Sequence, residues 1–285
     1  MFFKNMFSIL LVTLLAGCSG LPFLNGKESA EHSKTNITRS LKKEIPADFI
    51  PTNLSVVSVG DSLTQGVGAS NDQEGYIPYL SAYLETNRGI KDAHFSNYGV
   101  RGNRTSDLLS RLQDDQIKRD ITNADAVVIT IGGNDIMKVV KDKFTNLTMA
   151  DFLKASVSYE KRVEKIFQTV RQYNQDAEIY FIGLYNPFGK WMSAFSELDT
   201  IMDDWNEIGM EVTKRDSNAY FIRIDDIFSV SDENLLYKED YFHPNDRGYE
   251  LIAARIYDEM KEKTVETLYA KGAMNGVVND EEVDE

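Results

Sequence analysis

Short apolar segments rich in β-branched and aromatic residues alternate along the chain with longer segments of helical spacing. The short segments predict five strands, at residues 54–60, 93–99, 126–133, 178–185 and 219–225. Apolar residues at steps of three and four predict helices at 75–86, 105–117, 149–173, 196–215 and 246–262. Because strand and helix alternate, we predict an α/β fold: a parallel sheet covered by helices on both faces, with right-handed crossovers.

Polar motifs follow the first three predicted strands at the points where those strands end. They are GDS at 60–62, NYGVRGN at 97–103 and GGND at 132–135. The carboxyl ends of parallel strands share one edge of the sheet, so we expect these motifs to converge on one crevice. Ser62 stands where a strand passes into a helix, a position that suits a nucleophile. Taken alone, however, GDS also fits a turn followed by a helix cap.

A candidate base for this serine lies far downstream, in the sequence DYFH. A serine hydroxyl is a poor nucleophile until an imidazole removes its proton, and His243 is the candidate for that role. Asp240, three residues earlier, would orient the imidazole. Read alone, the pair also fits a surface histidine and a carboxylate at a helix entry. Of the other two histidines, His32 precedes the predicted domain and His94 opens the second strand, so neither is a credible base.

Four motifs, GDSL, NYGVRGN, GGND and DYFH, occur in this order at the predicted strand ends and near the end of the domain. In this arrangement, residues 51–265 resemble the SGNH, or GDSL, hydrolase family. The resemblance implies a three-layer α/β/α sandwich with a flavodoxin-like five-stranded parallel sheet. It also implies hydrolysis of esters, thioesters or amides, with Ser62, Asp240 and His243 as the catalytic residues.

The resemblance also assigns an oxyanion hole, the set of donors that stabilises the negative oxygen of the tetrahedral intermediate. Its donors would be the backbone N–H groups of Ser62 and Gly102 and the side-chain amide of Asn134. Gly99 is the competing glycine, and we expect the turn itself to need it. Read alone, Asn134 also fits a simple turn residue.

Further residues of the same motifs receive secondary roles. Arg101 and Asn103 are candidates for substrate contact, whereas Asp61 and Asp135 are expected to shape turns or cap helices. The segment 186–195 after the fourth strand is a loop with Gly, Pro and several aromatic residues. It is a candidate lid, whose apolar side chains either line an acyl pocket or simply bury the loop; these are Phe188, Trp191, Met192 and Phe195.

The amino terminus has the features of a secretory signal. Lys4 precedes an apolar segment at 6–16, which is shorter than the roughly twenty residues needed to cross a bilayer as a helix. The following LAGC resembles a bacterial lipobox, so we predict a signal peptide at 1–17 and lipidation at Cys18. The alternative is an ordinary signal peptide with an incidental cysteine. Cys18 is the only cysteine, and a disulfide within the chain is therefore impossible.

These features divide the chain into four predicted regions. They are the signal peptide, a lipid-anchored tether at 18–50, a hydrolase domain at 51–272 and an acidic disordered tail at 273–285. The net charge of −14 argues against nucleic acid as a partner. We expect an extracytoplasmic protein that is held at the bacterial membrane through Cys18.

The sequence therefore predicts a serine esterase or lipase-type acylhydrolase that acts at the cell surface on small-molecule, lipid or glycan esters. It predicts no cofactor and no metal. One alternative is a surface lipoprotein that binds glycan or lipid without catalysis. Two others are a flavin- or phosphate-binding protein, which the absence of a glycine-rich phosphate loop disfavours, and a metal-dependent hydrolase using Asp61, Asp135, Asp240 and His243.

Overall fold

The five apolar segments form a single parallel sheet in the computed structural model, which describes residues 51–70, 74–143, 145–188 and 196–281. The strands are β1 (Thr52–Gly60), β2 (Ile90–Gly99), β3 (Ala126–Thr130), β4 (Glu178–Ile182) and β5 (Ala219–Ile222). They lie in the order β2-β1-β3-β4-β5, with every neighbouring pair parallel. This is the flavodoxin-like strand order, and the predicted fold class is confirmed.

Helices connect the strands and cover both faces of the sheet. They are α1 (Ser62–Gln65), α2 (Ile77–Glu85), α3 (Thr105–Arg111), α4 (Asp115–Thr122), α5 (Gly133–Lys143), α6 (Met149–Tyr173), α7 (Ser196–Lys214), α8 (Asp225–Val230) and α9 (Asp246–Glu281). The single helix predicted at 105–117 is wrong, because the chain breaks there into α3 and α4. The break follows from Asp114, whose extended backbone and carboxylate cap α4 by accepting hydrogen bonds from the N–H groups of Gln116 and Ile117.

Side chains of the inner strands β1 and β3 point alternately to the two faces of the sheet, and helices cover both faces to give three layers. Side chains of successive strand residues point to opposite faces, and in β1 and β3 both faces are buried. Val57 and Val127 join the core that α3 to α7 cover, whereas Val56 and Val128 join the core beneath α2, α8 and α9. The inner strands of the sheet are therefore buried on both sides, as in a doubly wound parallel sheet.

The last helix extends beyond the predicted end at 262. Thr264 and Thr267 donate hydrogen bonds of 2.8 Å and 2.7 Å to the carboxylate of Glu178 on β4, and Leu268 is buried. These contacts continue the helix past 262, and its backbone remains helical to Glu281, through most of the expected acidic tail.

Several predictions about the ends of the chain lie outside the described residues. They are the signal peptide at 1–17, the lipidation of Cys18, the tether at 18–50, and residues 282–285 of the acidic tail. The boundaries of the domain at 51–272 stay a prediction. Among the described helices, none is both long and apolar enough to cross a membrane.

Candidate active site

The turn that contains Ser62 lies at the carboxyl end of the inner strand β1, between β2 and β3. Asp61 donates its backbone N–H to the carbonyl of Thr130 at 3.0 Å, which links the end of β1 to that of β3. Its carboxylate caps α1 by accepting a hydrogen bond from the N–H of Leu63 at 3.0 Å. The same carboxylate accepts a hydrogen bond from the hydroxyl of Thr130 at 3.1 Å. Ser62 is thereby fixed as the first residue of α1, at the point where the strand order reverses and ligands of such sheets bind.

Asp61 itself is buried, with 7% of its surface exposed. Burial raises the pKa of its carboxyl to about 7, although the hydrogen bonds from Leu63 and Thr130 act in the opposite direction. The role expected for Asp61, a turn and cap residue, agrees with these contacts.

The three residues expected to form the catalytic triad are in hydrogen-bond contact. Nε2 of His243 lies 2.9 Å from Oγ of Ser62, and Nδ1 of His243 lies 2.6 Å from Oδ2 of Asp240. Ser62 and His243 are both buried, with 5% and 6% of their surface exposed. The arrangement gives the serine hydroxyl a base and gives that base a carboxylate that selects its tautomer.

Asp240 is held in its ionised form by the loop that contains it. Partial burial raises its pKa, but the bonds from the His243 ring and from the backbone N–H groups of Phe242 and His243 outweigh burial and place the pKa below the ordinary value. A carboxylate that stays charged near neutral pH can stabilise the imidazolium formed during attack.

The fold also holds the DYFH loop from the outside. The hydroxyl of Tyr185, just beyond β4, donates to the carbonyl of Phe242 at 2.7 Å. The carbonyl of His243 accepts the N–H of Tyr237 at 2.8 Å. Tyr241 has a φ of 50°, a left-handed conformation that is uncommon for a bulky residue. These contacts turn the chain sharply, so that Asp240 and His243 face each other.

The expected oxyanion-hole donors come from three separate turns. Among the described hydrogen bonds, none uses the backbone N–H of Ser62 or Gly102. Gly102 has a φ of +82°, and a Cβ added to it would meet nothing within 4 Å. The backbone conformation therefore requires a glycine here, whereas the surrounding space would admit a side chain. A Cβ on Gly99, in contrast, would lie 2.0 Å from the backbone nitrogen of Gln65, so Gly99 allows β2 to approach α1 closely. The role of Gly102 as donor stays a prediction.

Asn134 lies in the first turn of α5 and borders the same pocket as Ser62 and His243. Its side-chain amide donates one hydrogen bond of 3.0 Å to the carbonyl of Asn103. An amide nitrogen carries two N–H groups, so the second can serve an oxyanion. Asn103 also accepts a bond from Arg111 through its side chain, and the N–H of Arg101 donates to Gln65. The substrate contacts expected of Asn103 and Arg101 stay predictions.

The four residues of the metal alternative fall into three separate hydrogen-bond sets. Asp61 bonds to Thr130, Asp240 bonds to His243, and Asp135 pairs with Arg162. Within the described part of the chain, no group of three or more His, Cys, Asp or Glu residues is arranged to hold a metal ion.

A small pocket of about 60 Å³ opens beside Ser62 and His243. Most of its wall is apolar and comes from the first turns of α5, the segment after β4 and the start of α7; the main contributors are Ile136, Met137, Leu184, Phe188, Leu198 and Met202. Phe188 thus occupies the place expected for a pocket residue. Trp191, Met192 and Phe195 lie outside the described residues, as does most of the candidate lid.

A larger cavity of about 800 Å³ adjoins this pocket and shares Pro187 and Met202 with it. Its described lining contains no basic residue and includes five carboxylates, those of Asp199, Asp203, Asp225, Asp232 and Glu233. The site therefore has a confined apolar compartment at the serine and a wider compartment beside it that carboxylates and apolar side chains line together.

Comparison with known proteins identifies the family. The model of the GDSL-like lipase/acylhydrolase family matches residues 58–251. This range contains the catalytic-site candidates described above and the whole sheet apart from the first six residues of β1. The chain belongs to this family. It is a carboxylic ester hydrolase of the GDSL type.

Relatives of this GDSL-like hydrolase include two Bacillus proteins. It is 37% identical over 263 residues to the uncharacterized protein YpmR of Bacillus subtilis, a match that covers 91% of this chain and 97% of that protein. It is 25% identical over 215 residues to the spore germination lipase LipC of Bacillus licheniformis, with coverage of 71% and 94%.

Solved structures share the fold of this hydrolase. The lipase Lip_vut3 from a goat rumen metagenome superposes with a TM-score of 0.64 at 22% identity, covering 74% of this chain and 100% of that one. The acetylxylan esterase Axe2 of Geobacillus stearothermophilus superposes with a TM-score of 0.59 at 18% identity, covering 76% and 98%.

Sequence reasoning missed most of the pocket wall. Leu198 and Met202 lie on a helix that periodicity predicts, but periodicity does not say which cavity a buried face borders. Ile136 lies on α5, a helix that the sequence analysis did not predict. It also missed Tyr185, because nothing in the sequence links this residue to the DYFH loop. The only available signal was position, since Tyr185 and Leu184 directly follow the carboxyl end of β4.

Proposed function

We propose that this GDSL-like hydrolase is a serine esterase that acts through an acyl-enzyme on Ser62. The observation that carries the proposal is the relay Ser62–His243–Asp240, with distances of 2.9 Å and 2.6 Å, at the wall of an apolar pocket. Oγ of Ser62 attacks the ester carbonyl while Nε2 of His243 takes the hydroxyl proton. The tetrahedral intermediate then collapses, the C–O bond to the alcohol breaks, and the alcohol leaves with the proton from His243.

Deacylation repeats these steps with water as the nucleophile. His243 takes a proton from water, the hydroxide oxygen bonds to the acyl carbon, and the Ser62 oxygen leaves with the proton held by His243. In both halves, the negative oxygen is stabilised by the N–H groups of Ser62 and Gly102 and by the amide of Asn134.

A structural neighbour supports these roles. The structures of the acetylxylan esterase Axe2 include catalytic mutants in which one serine, one aspartate or one histidine is replaced by alanine. In that protein the aspartate and histidine are three residues apart, as are Asp240 and His243 here. We assign the same division of labour to Ser62, Asp240 and His243.

We further propose esters of short acyl groups as the substrates. A pocket of about 60 Å³ accommodates a few heavy atoms, and Met202 and Phe188 close its apolar side. The alcohol part would face the wider cavity, in which Arg223 pairs with Asp203 and Asp225 and Arg247 pairs with Glu233. The other two carboxylates, Asp199 and Asp232, have no described ion pair and favour a neutral, hydroxyl-bearing or cationic group over an anionic phosphate.

We also propose that the enzyme is extracytoplasmic and is held at the bacterial membrane by a lipid on Cys18. The apolar segment at 6–16 and the LAGC sequence support this location. The tether at 18–50, as a flexible coil, would span roughly 30 Å, so lipid and glycan esters of the cell envelope would be within reach.

The catalytic proposal is tested with p-nitrophenyl esters from acetyl to palmitoyl on the wild type and on Ser62→Ala. We expect turnover that peaks at short chains and is lost in Ser62→Ala. The matched control is Ser110→Ala, which removes the hydroxyl of an exposed serine on α3 and should leave turnover unchanged. Equal turnover in Ser62→Ala and the wild type would overturn the triad, and a peak at long chains would overturn the substrate class.

The acyl-enzyme and the anchor have separate tests. A fluorophosphonate should add to the wild type but not to Ser62→Ala, as measured by the mass of the intact protein; labelling of both would contradict an acyl-enzyme on this serine. Replacing Cys18 by Ala in the full chain should move the protein from the membrane fraction to the soluble fraction. An unchanged membrane fraction would contradict lipidation at this residue.

A further inference from the structure

Two donors of the proposed oxyanion hole lie on turns whose relative position the hydrogen bonds of the sheet do not fix. Gly102 follows β2 and Asn134 follows β3, and β1 lies between these two strands. Strands in a sheet are about 4.8 Å apart, so the ends of β2 and β3 are separated by roughly 10 Å. Ladder hydrogen bonds fix the strands, whereas both donors lie beyond the last pairs of the ladder.

Side chains bridge this gap above the end of β1. The amide of Asn134 donates to the carbonyl of Asn103 at 3.0 Å. The next residue, Asp135, accepts the backbone N–H of Thr105 at 2.9 Å and its hydroxyl at 2.7 Å. Two consecutive residues at the start of α5 are thus bonded to the segment that directly follows Gly102.

One arginine completes the bridge from a third element. Nη2 of Arg162, on α6, donates to Oδ1 of Asp135 at 3.0 Å, and its Nε donates to the hydroxyl of Thr105 at 2.5 Å. The guanidinium therefore bonds both sides of the bridge at once, which a fork of donors allows and a single ammonium does not. The side chain of Asp135 is 6% exposed and that of Arg162 is 31% exposed.

Burial makes an uncompensated charge on Asp135 costly. A buried carboxylate without a cationic partner is strongly unfavourable, and the structure around it shifts or the group takes up a proton. Asp135 adjoins Asn134 in the chain, and Thr105 lies three residues after Gly102. Movement of Asp135 or Thr105 would therefore displace the donors, and a displacement of about 1 Å can reduce turnover by about 10²-fold.

We propose that Arg162 is a positioning residue of the oxyanion hole, which acts through Asp135 and Thr105 and touches neither the substrate nor Ser62. The inference rests on the proposed function. It predicts that loss of Arg162 weakens stabilisation of the intermediate while leaving substrate binding intact.

The test is Arg162→Met, which keeps most of the aliphatic stem and removes the guanidinium. We expect kcat for p-nitrophenyl acetate to fall by about 10- to 100-fold, less than the 10²–10³ typical for removal of a donor itself, with KM unchanged within about twofold. Arg162→Lys keeps the charge but not the fork, and it should restore only part of kcat. A rise in KM without a fall in kcat would overturn the proposal.

The matched control is Arg171→Met on the same helix. Arg171 forms an ion pair with Asp216, at 2.6 Å and 3.0 Å, near the carboxyl end of α6. Both variants should lower the melting temperature, but only Arg162→Met should lower kcat. If both lower kcat equally, Arg162 contributes stability alone and the inference is wrong. If Arg162→Met fails to fold, Thr105→Val is measured in its place, with the same expected fall in kcat.

A double-mutant cycle of Arg162→Met with Asn134→Ala gives the decisive result. In an Asn134→Ala background, one donor is already absent, so the factor by which Arg162→Met lowers kcat should be at least about threefold smaller than in the wild type. Equal factors in the two backgrounds would overturn the inference. Ser62→Ala separates this outcome from failure of the proposed function, because active Ser62→Ala enzyme refutes the triad itself, whereas inactive Ser62→Ala with fully active Arg162→Met refutes only the role of Arg162.

Discussion

The buried carboxyl of Asp61 makes the stability of this enzyme depend on pH, and Asp61→Asn isolates that dependence. Oδ1 of Asp61 accepts hydrogen bonds from the N–H of Leu63 and the hydroxyl of Thr130. The amide oxygen of an asparagine can accept both of these bonds. The substitution therefore preserves the cap of α1 and removes only the capacity of this side chain to ionise.

The magnitude follows from the two pKa values. The carboxyl titrates near 3.9 in the unfolded chain and at about 7 in the folded protein, where burial raises its pKa. Between these values the folded protein retains a proton that the unfolded chain releases, so the free energy of unfolding falls as pH rises through this range and levels off above it. Each pH unit corresponds to about 1.4 kcal/mol, which gives at most about 4 kcal/mol for Asp61.

The assay is urea unfolding of the wild type and Asp61→Asn at pH 5 and pH 8, with the exposed Asp204→Asn on α7 as the control. Because asparagine stays neutral, Asp61→Asn should gain stability relative to the wild type, and the gain should be larger at pH 8. The difference between wild type and control should be nearly constant. A gain for Asp61→Asn that is independent of pH, or that shrinks as pH rises, would refute the reasoning.

Two further substitutions test the site. Asp240→Asn should lower kcat on the order of 10⁴-fold with little change in KM, because an asparagine no longer holds His243 in the required tautomer. Steady-state kinetics measures this, and kcat within tenfold of the wild type would contradict the role of Asp240. Met202→Ala should join the small pocket to the larger cavity and move the preferred p-nitrophenyl ester to longer acyl chains. Met210→Ala, on the same helix but outside the described lining of both cavities, should leave the preference unchanged, and an identical profile in all three proteins would show that Met202 does not limit acyl length.

Local sequence signals were sufficient for the fold class and for the candidate triad, whose three residues are in hydrogen-bond contact. Alternation of strand and helix determined the parallel sheet, and the carboxyl ends of β1, β2 and β3 determined where Ser62, Gly102 and Asn134 lie. Helical periodicity gave a wrong prediction at 105–117, because the apolar spacing continues across the break between α3 and α4. Asp114 caps a new helix there, and a cap inside a periodic segment looks the same in sequence as an exposed helical residue.

Long-range polar contacts could not be predicted in this way. Arg162 is one of several charged residues along α6, and helical periodicity places it on neither face with certainty. Its contacts with Thr105 and Asp135 span 57 and 27 positions of the sequence. Such a contact follows from the packing of α6 against α3 and α5, which is known only when the whole sheet and its helices are assembled.

The buried carboxyl groups of the GDSL and GGND motifs are neutralised in two different ways. Asp61 and Asp135 each lie next to a proposed catalytic group, Ser62 and Asn134, and each is 7% exposed. Asp135 is neutralised by Arg162, so its charge is compensated at every pH at which the carboxyl is ionised. Asp61 has no described ion pair. Its carboxyl has a pKa of about 7, so below this pH the group is neutralised by taking up a proton. Rising pH should therefore destabilise the turn of Ser62, where the buried carboxyl of Asp61 has no described cationic partner.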